Sequence, residues 1–182
     1  MMRIKKYLSW CCYFGFARFL PKSKTKHSFS KWMRAVCAKG FCSHVGRNVN
    51  VERMASFSSR ISIGENSGIG INCVLQGEVH IGNNVMMGPQ VWIYTRNHKH
   101  DRIDIPMIDQ GFEEERQVII DDDVWIGSRV TILPGVCIGK GVIIGTGSVV
   151  TKSVPPYSIV AGNPAVIVKT RMSDKVVGCN EE

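Results

Sequence analysis

Residues 118–151 read VIIDDDVWIGSRVTILPGVCIGKGVIIGTGSVVT, and counting in sixes from Ile120 lands on Ile126, Ile132, Ile138, Ile144 and Val150. The same spacing runs upstream in another phase, from Val45 through Val51, Phe57, Ile63, Ile69, Leu75, Ile81 and Met87 to Ile93. An unbroken series in a chain that is 44% hydrophobic is a true internal repeat. Six is neither the helical nor the strand period, so the chain is expected to coil as short strands joined by bends, with three hexads closing a triangular rung. Four residues after each anchor stands a small or β-branched residue, as at Val49, Ser67, Cys73, Val91, Val124 and Ser148, which predicts a second inward column. Glycine often follows the anchor, as at Gly82 and Gly127, and its freedom at positive φ is expected to turn the corner. A β-sandwich would alternate with period two and lack the six-residue anchor.

At 182 residues the chain has room for one domain with additions. These are an N-terminal arm over 1–44, the coil over 45–160 with a loop at 94–118, and a tail over 161–182 that is expected to be helical. The first fifty residues hold eleven Lys or Arg and no Asp or Glu, so the net charge of +8 resides in the arm. Within it, Tyr7-Leu8-Ser9-Trp10-Cys11-Cys12-Tyr13-Phe14-Gly15-Phe16-Ala17 follows three cations in the order of a signal peptide. It lacks a small-x-small cleavage site and is too short to span a bilayer. Two readings remain: a helix that caps one open end of the coil, or a basic, aromatic helix in peripheral contact with an anionic membrane. The seven cysteines, Cys11, Cys12, Cys37, Cys42, Cys73, Cys137 and Cys179, form no CxxC pair and are odd in number. Reduced thiols in a cytoplasmic protein without a metal account for them, with Cys73 and Cys137 as small packing residues.

Between Ile93 and Ile120 the hexad phase is lost over a stretch containing Arg96-Asn97-His98-Lys99-His100 and Gly111-Phe112-Glu113-Glu114-Glu115-Arg116. A long polar excursion from a rigid wall is where binding sites are commonly built. Two histidines without a neighbouring nucleophile motif suggest general-base chemistry, and composition does not choose between His98 and His100.

Three motifs carry a resemblance: Pro89-Gln90-Val91-Trp92-Ile93-Tyr94-Thr95-Arg96-Asn97-His98, then Asp122-Asp123-Val124-Trp125-Ile126-Gly127-Ser128, and then Ile144-Gly145-Thr146-Gly147-Ser148-Val149-Val150-Thr151-Lys152 with Ala161-Gly162-Asn163-Pro164-Ala165. The chain resembles the bacterial hexapeptide-repeat O-acetyltransferases over about Val45 to Lys169. These are left-handed parallel β-helix enzymes that include galactoside and maltose acetyltransferases and polysaccharide-modifying relatives. The resemblance implies direct transfer of acetyl from acetyl-CoA to a hydroxyl of a sugar or a surface or exopolysaccharide precursor. His98 would be the general base, and the Ser128 N–H would bind the oxyanion. Trp125 would wall the pantetheine tunnel and the Thr146 backbone would bond the pantetheine arm, while Thr151, Lys152 and Lys169 would meet the nucleotide end. The family's trimer would place His98 of one subunit opposite Ser128 and Thr146 of its neighbour. Relatives often carry a cation two places after the Asn-Pro proline, whereas Val166 stands there in this chain.

Two other classes compete. Zinc carbonic anhydrases share the coil, yet the spacing of His80, His98 and His100 does not resemble their ligand pattern, and no metal is expected. A non-catalytic scaffold, or a glycan- or membrane-binding module, would use the coil as a surface. Nothing resembles a nucleic-acid recognition module.

Overall fold

The computed structural model describes residues 2–23 and 28–171. Two helices, α1 (Met2–Gly15) and α2 (Phe29–Phe41), precede a parallel β-solenoid. Its first rung is β1 (His44–Val45), β2 (Asn50–Val51) and β3 (Ser56–Phe57), and its second is β4 (Ser62–Ile63), β5 (Gly68–Ile69) and β6 (Val74–Leu75). The third is β7 (Val79–Ile81), β8 (Met86–Met87) and β9 (Trp92–Ile93), and the fourth is β10 (Val118–Ile120), β11 (Trp125–Ile126) and β12 (Thr131–Ile132). The fifth is β13 (Cys137–Ile138), β14 (Ile143–Ile144) and β15 (Val149–Val150). A sixth turn opens at Val154, bridged in parallel to Ile138, and continues in β16 (Ser158–Gly162), on which β17 (Ala165–Thr170) folds back antiparallel.

Each strand pairs with the one directly above it, so that Val45 lies opposite Ile63 and Ile63 opposite Ile81. The anchors therefore stack in one register, three hexads to a rung. One face is β1-β4-β7-β10-β13 and another is β3-β6-β9-β12-β15. The remaining face joins β2-β5 to β8-β11-β14-β16-β17 through the bond from Gly68 N–H to the Val85 carbonyl. Alternation along each two-residue strand turns the anchor inward and its predecessor outward, as with buried Ile126 beside half-exposed Trp125. Val45, at the end of the coil, is partly buried, and every other anchor is buried, as is the second column from Val49 to Ser148.

Three expectations are corrected. Gly82 and Gly127 do not occupy the left-handed region; that conformation falls two residues later, at Asn84 and Arg129. Glycine is needed at those first positions because the rungs touch there: a Cβ on Gly127 would lie 2.7 Å from the Thr146 nitrogen. Cys73 packs in the core as expected, but Cys137 faces outward and is exposed, since it precedes an anchor rather than occupying the inward column. The tail is a strand rather than a helix over residues 165–170, because β17 completes hydrogen bonding along the edge of β16. The remainder of the expected tail helix, and Cys179, lie outside the described residues.

The helices cover the open end of the coil. Tyr13 is fully buried, donates from its hydroxyl to the Ala55 carbonyl at 2.9 Å, and packs on Phe57 at 4.9 Å between ring centres. Phe41 stacks on the same Phe57 at 5.6 Å. Arg34, also fully buried, donates to the carbonyls of Val51 at 2.6 Å and of Leu20 and Pro21 at 3.1 Å, and to Ser23 Oγ at 3.0 Å, with Glu52 3.6 Å away. A guanidinium is tolerated inside only when its donors are matched in this way.

Burial pushes the Cys73 thiol up from 9.0 to about 11, against backbone N–H groups that favour the thiolate. The folded chain thus keeps a proton that the unfolded chain loses. This contribution to stability is complete below about pH 9 and is lost as the pH rises toward 11. Melting temperature is expected to fall more steeply across that window in the wild type than in Cys73→Ala, whereas parallel slopes would contradict it. Exposed Cys137 and Cys12 are expected to alkylate in the folded protein and Cys73 only on unfolding.

Candidate active site

The insertion between β9 and β10 leaves the stack intact: Ile81 of the third rung pairs with Ile120 of the fourth across it. The excursion is a hairpin. The Lys99 N–H donates to the Gly111 carbonyl, the Glu113 N–H to Asn97 and the Arg116 N–H to Thr95, with His98 bridged antiparallel to Phe112. Its tip is a single 3-10 turn over Met107–Asp109. The His98 ring lies 4.1 Å from the Phe112 ring centre, tilted by 34°, and the Arg96 guanidinium lies 4.0 Å from that same ring. His98 is thus exposed but held by an aromatic platform. Among the described residues, the neighbouring His100 reaches only the His98 carbonyl at 3.3 Å and Glu113 at 4.0 Å.

Glu115 fastens the hairpin to the coil. Its carboxylate accepts from Thr95 Oγ1 at 2.9 Å and the Glu78 N–H at 2.8 Å, and pairs with Arg60 at 2.7 Å. Burial raises its pKa, but the bonds from Arg60, Glu78 and Thr95 together outweigh burial and hold it below the usual carboxylate range. Neither Phe112 nor Glu115 was singled out from sequence, because their roles depend on partners across the hairpin or on other rungs.

The other expected site residues fall into two groups. On the face ending in β17, one outward row runs Met86, Trp125, Ile143, Ile159, Lys169 in strand register. Beside this face, at the corner leading to β12 and β15, stand Ser128 and Thr146, directly above one another. At the neighbouring corner, the N–H groups of Glu65 and Asn83 in the same turn position are occupied by the Asn83 and Asp122 side chains at 2.8 and 2.6 Å. Among the described residues, those of Ser128 and Thr146 have no such acceptor. Next to Ser128, the side chains of Asn72, Gln90, Trp92, Arg129 and Thr131 line a depression of about 520 Å³. The second group, Thr151 and Lys152, follows β15 at the corner from which the His98 hairpin departs. The triangular section therefore sets His98, Thr151 and Lys152 at one corner and Trp125, Ser128, Thr146 and Lys169 around another. No hydrogen bond joins His98 to Ser128 among the described residues. Nor do these residues gather three or more His, Cys, Asp or Glu into a metal-holding group.

The site thus lies on a three-edged solenoid of hexads, broken once by a histidine-bearing hairpin and carrying the uncapped amides of Ser128 and Thr146 at one corner. The bacterial transferase hexapeptide (six repeats) family matches residues 60–95 and 117–152, stopping on either side of the hairpin. A maltose O-acetyltransferase from Clostridium difficile 630 superposes with a TM-score of 0.71 at 31% identity, covering 93% of this chain and 87% of that one. The chain belongs to the hexapeptide-repeat acetyltransferase family. A galactoside acetyltransferase solved in complex with coenzyme A superposes with a TM-score of 0.69 at 27% identity, covering 93% and 82%. The galactoside O-acetyltransferase of Lactococcus lactis is 38% identical over 97 residues, 53% of this chain and 45% of that one. The chain spans about half the length of the curated relatives it matches.

Proposed function

We propose that the protein is an acetyl-CoA-dependent O-acetyltransferase, acting as a homotrimer of left-handed coils on a hydroxyl of a sugar or of a surface or exopolysaccharide precursor. The observation that carries this reading is the pair of uncapped N–H groups at Ser128 and Thr146, one rung apart beside the Trp125 row. Coenzyme A in the related galactoside acetyltransferase supports the choice of thioester. Thr146 bonds the pantetheine arm and Trp125 walls it, while Lys169 of that subunit, with Thr151 and Lys152 from the neighbouring subunit's His98 corner, meets the nucleotide end. His98 takes the acceptor's proton while its oxygen attacks the thioester carbon. The developing oxyanion is held by the Ser128 N–H, a donor worth about 3 kcal/mol in such sites. The carbon–sulfur bond then breaks, and the proton on His98 passes to the leaving thiolate. No covalent enzyme intermediate forms.

Separation of His98 from Ser128 by the width of the coil is the argument for a trimer, in which one subunit's hairpin reaches a neighbour's corner. Light scattering is expected to report three copies. Thiol release from acetyl-CoA is expected only with a hydroxyl acceptor, sought among sugar nucleotides, lipid-linked oligosaccharides and free glycosides. A fully active monomer would refute the shared site. Failure of the chain to bind acetyl-CoA would favour the scaffold reading instead.

A further inference from the structure

A helix lying on a soluble protein ordinarily turns its apolar side to the core and its polar side to water. In α1 the outer side is apolar as well. Tyr13 faces the coil and is fully buried, and Ser9 on the inner side faces α2, where a Cβ on Gly40 would collide with its side chain. Ile4, nine residues before Tyr13 and half a revolution away, is 64% exposed, and Tyr7 and Leu8 on the same outer side are 66% and 60% exposed. Trp10 flanks this side, packed between Tyr7 and Phe14, and beyond the helix end Phe16 and Phe19 remain half exposed. Cations adjoin these side chains: Lys5 and Lys6 lie on α1, and the Arg18 guanidinium sits 5.5 Å from the Phe19 ring centre. Nothing in the first fifty residues offers a negative charge to offset them.

We infer that the outer face of α1 is an anchor that lies in the interface of an anionic lipid bilayer, with Ile4, Tyr7, Leu8 and Trp10 inserted and the cations at headgroup level. Three observations select a bilayer over a protein partner. The face mixes aliphatic with Tyr and Trp side chains, the amphipathic rings that favour the headgroup boundary. The surrounding charge is of one sign over the whole arm, which suits a sheet of anionic headgroups. And α1 is too short to cross: no helix among the described residues is long and apolar enough to do so, which leaves a helix lying in the interface. The end-cap and membrane readings of the arm are thus compatible, because they use opposite sides of one helix. The inference does not depend on the acetyltransferase reading, and its test needs no activity.

Full-length protein is mixed with vesicles of phosphatidylcholine alone or with one third phosphatidylglycerol, at low and high salt, and sedimented. Recovery with the anionic vesicles at low salt is expected, falling at least about tenfold in partition coefficient at high salt and with phosphatidylcholine alone. The triple variant Ile4→Ser, Tyr7→Ser, Leu8→Ser is expected to lose at least about tenfold as well, with circular dichroism unchanged and melting temperature little changed, because none of these side chains is buried. Ile4→Ser alone, on the first turn, tests the same face with the least risk to folding and is expected to lose several-fold. Equal recovery of wild type in the supernatant under all conditions would overturn the inference. So would vesicle binding that the variants leave intact, or a triple variant that changes the number of subunits and not the vesicle affinity, which would make the face a contact between copies of the chain.

Discussion

His98→Ala is expected to lower the rate of acetyl transfer by about a hundredfold or more while leaving acetyl-CoA affinity within about twofold. The substitution removes a proton acceptor and no part of the thioester-binding corner, since the ring's contacts are with Phe112 on its own hairpin. His100→Ala is expected to cost only a few-fold, because that side chain rests on the His98 carbonyl and Glu113 at the limit of contact distance. Steady-state rates together with calorimetric titration of acetyl-CoA distinguish the outcomes. An exchange of effects between the two histidines would place the base at His100. A loss of affinity equal to the loss of rate in His98→Ala would remove the general-base role.

The second large effect concerns glycine. Gly127→Ala and Gly82→Ala introduce the same methyl at equivalent corner positions, each 2.7 Å from backbone of the next rung. Forcing such a contact is expected to cost about 1 to 3 kcal/mol of stability in both variants. Only at Gly127 is the displaced atom the Thr146 nitrogen, one of the two uncapped amides; at Gly82 the methyl meets Asp121 and Asp122 at the opposite side of the strand. Gly127→Ala is therefore expected to reduce kcat/KM for acetyl-CoA by about ten- to a hundredfold beyond anything seen in Gly82→Ala, measured well below both melting temperatures. Equal activity in two equally destabilised proteins would separate that corner from the chemistry.

The hairpin shows why these tests need both histidines and both glycines. From the chain alone, the loss of hexad phase marked where polar chemistry had room to gather, and motif resemblance pointed to His98. What holds that ring could not be read there, because Phe112 lies fourteen residues downstream and meets it only through the antiparallel bridge. Glu115 was equally hidden. Its partners Arg60, Glu78 and Thr95 come from three different turns of the coil and converge only when the rungs stack. The glycines were visible but misread: a chain corner suggests positive φ, whereas close approach between rungs is a property of the neighbour rather than of the residue itself.

The period of six by itself determined the solenoid, the anchors and the second inward column, because each is a local alternation repeated in register and burial follows directly from side-chain direction. The charge asymmetry of the arm was likewise plain from composition. Tertiary structure alone decided which side of α1 meets the coil, since a helix that is apolar around most of its circumference carries no instruction about which side to bury. The outward direction of Cys137 follows from its place directly before the anchor Ile138, whereas tertiary structure also decided the strand at 165–170 and the division of the expected site residues between two corners. These depend on what stands one rung away, eighteen or more residues along the chain, where the hexad pattern is the same on every face and does not tell one corner from another.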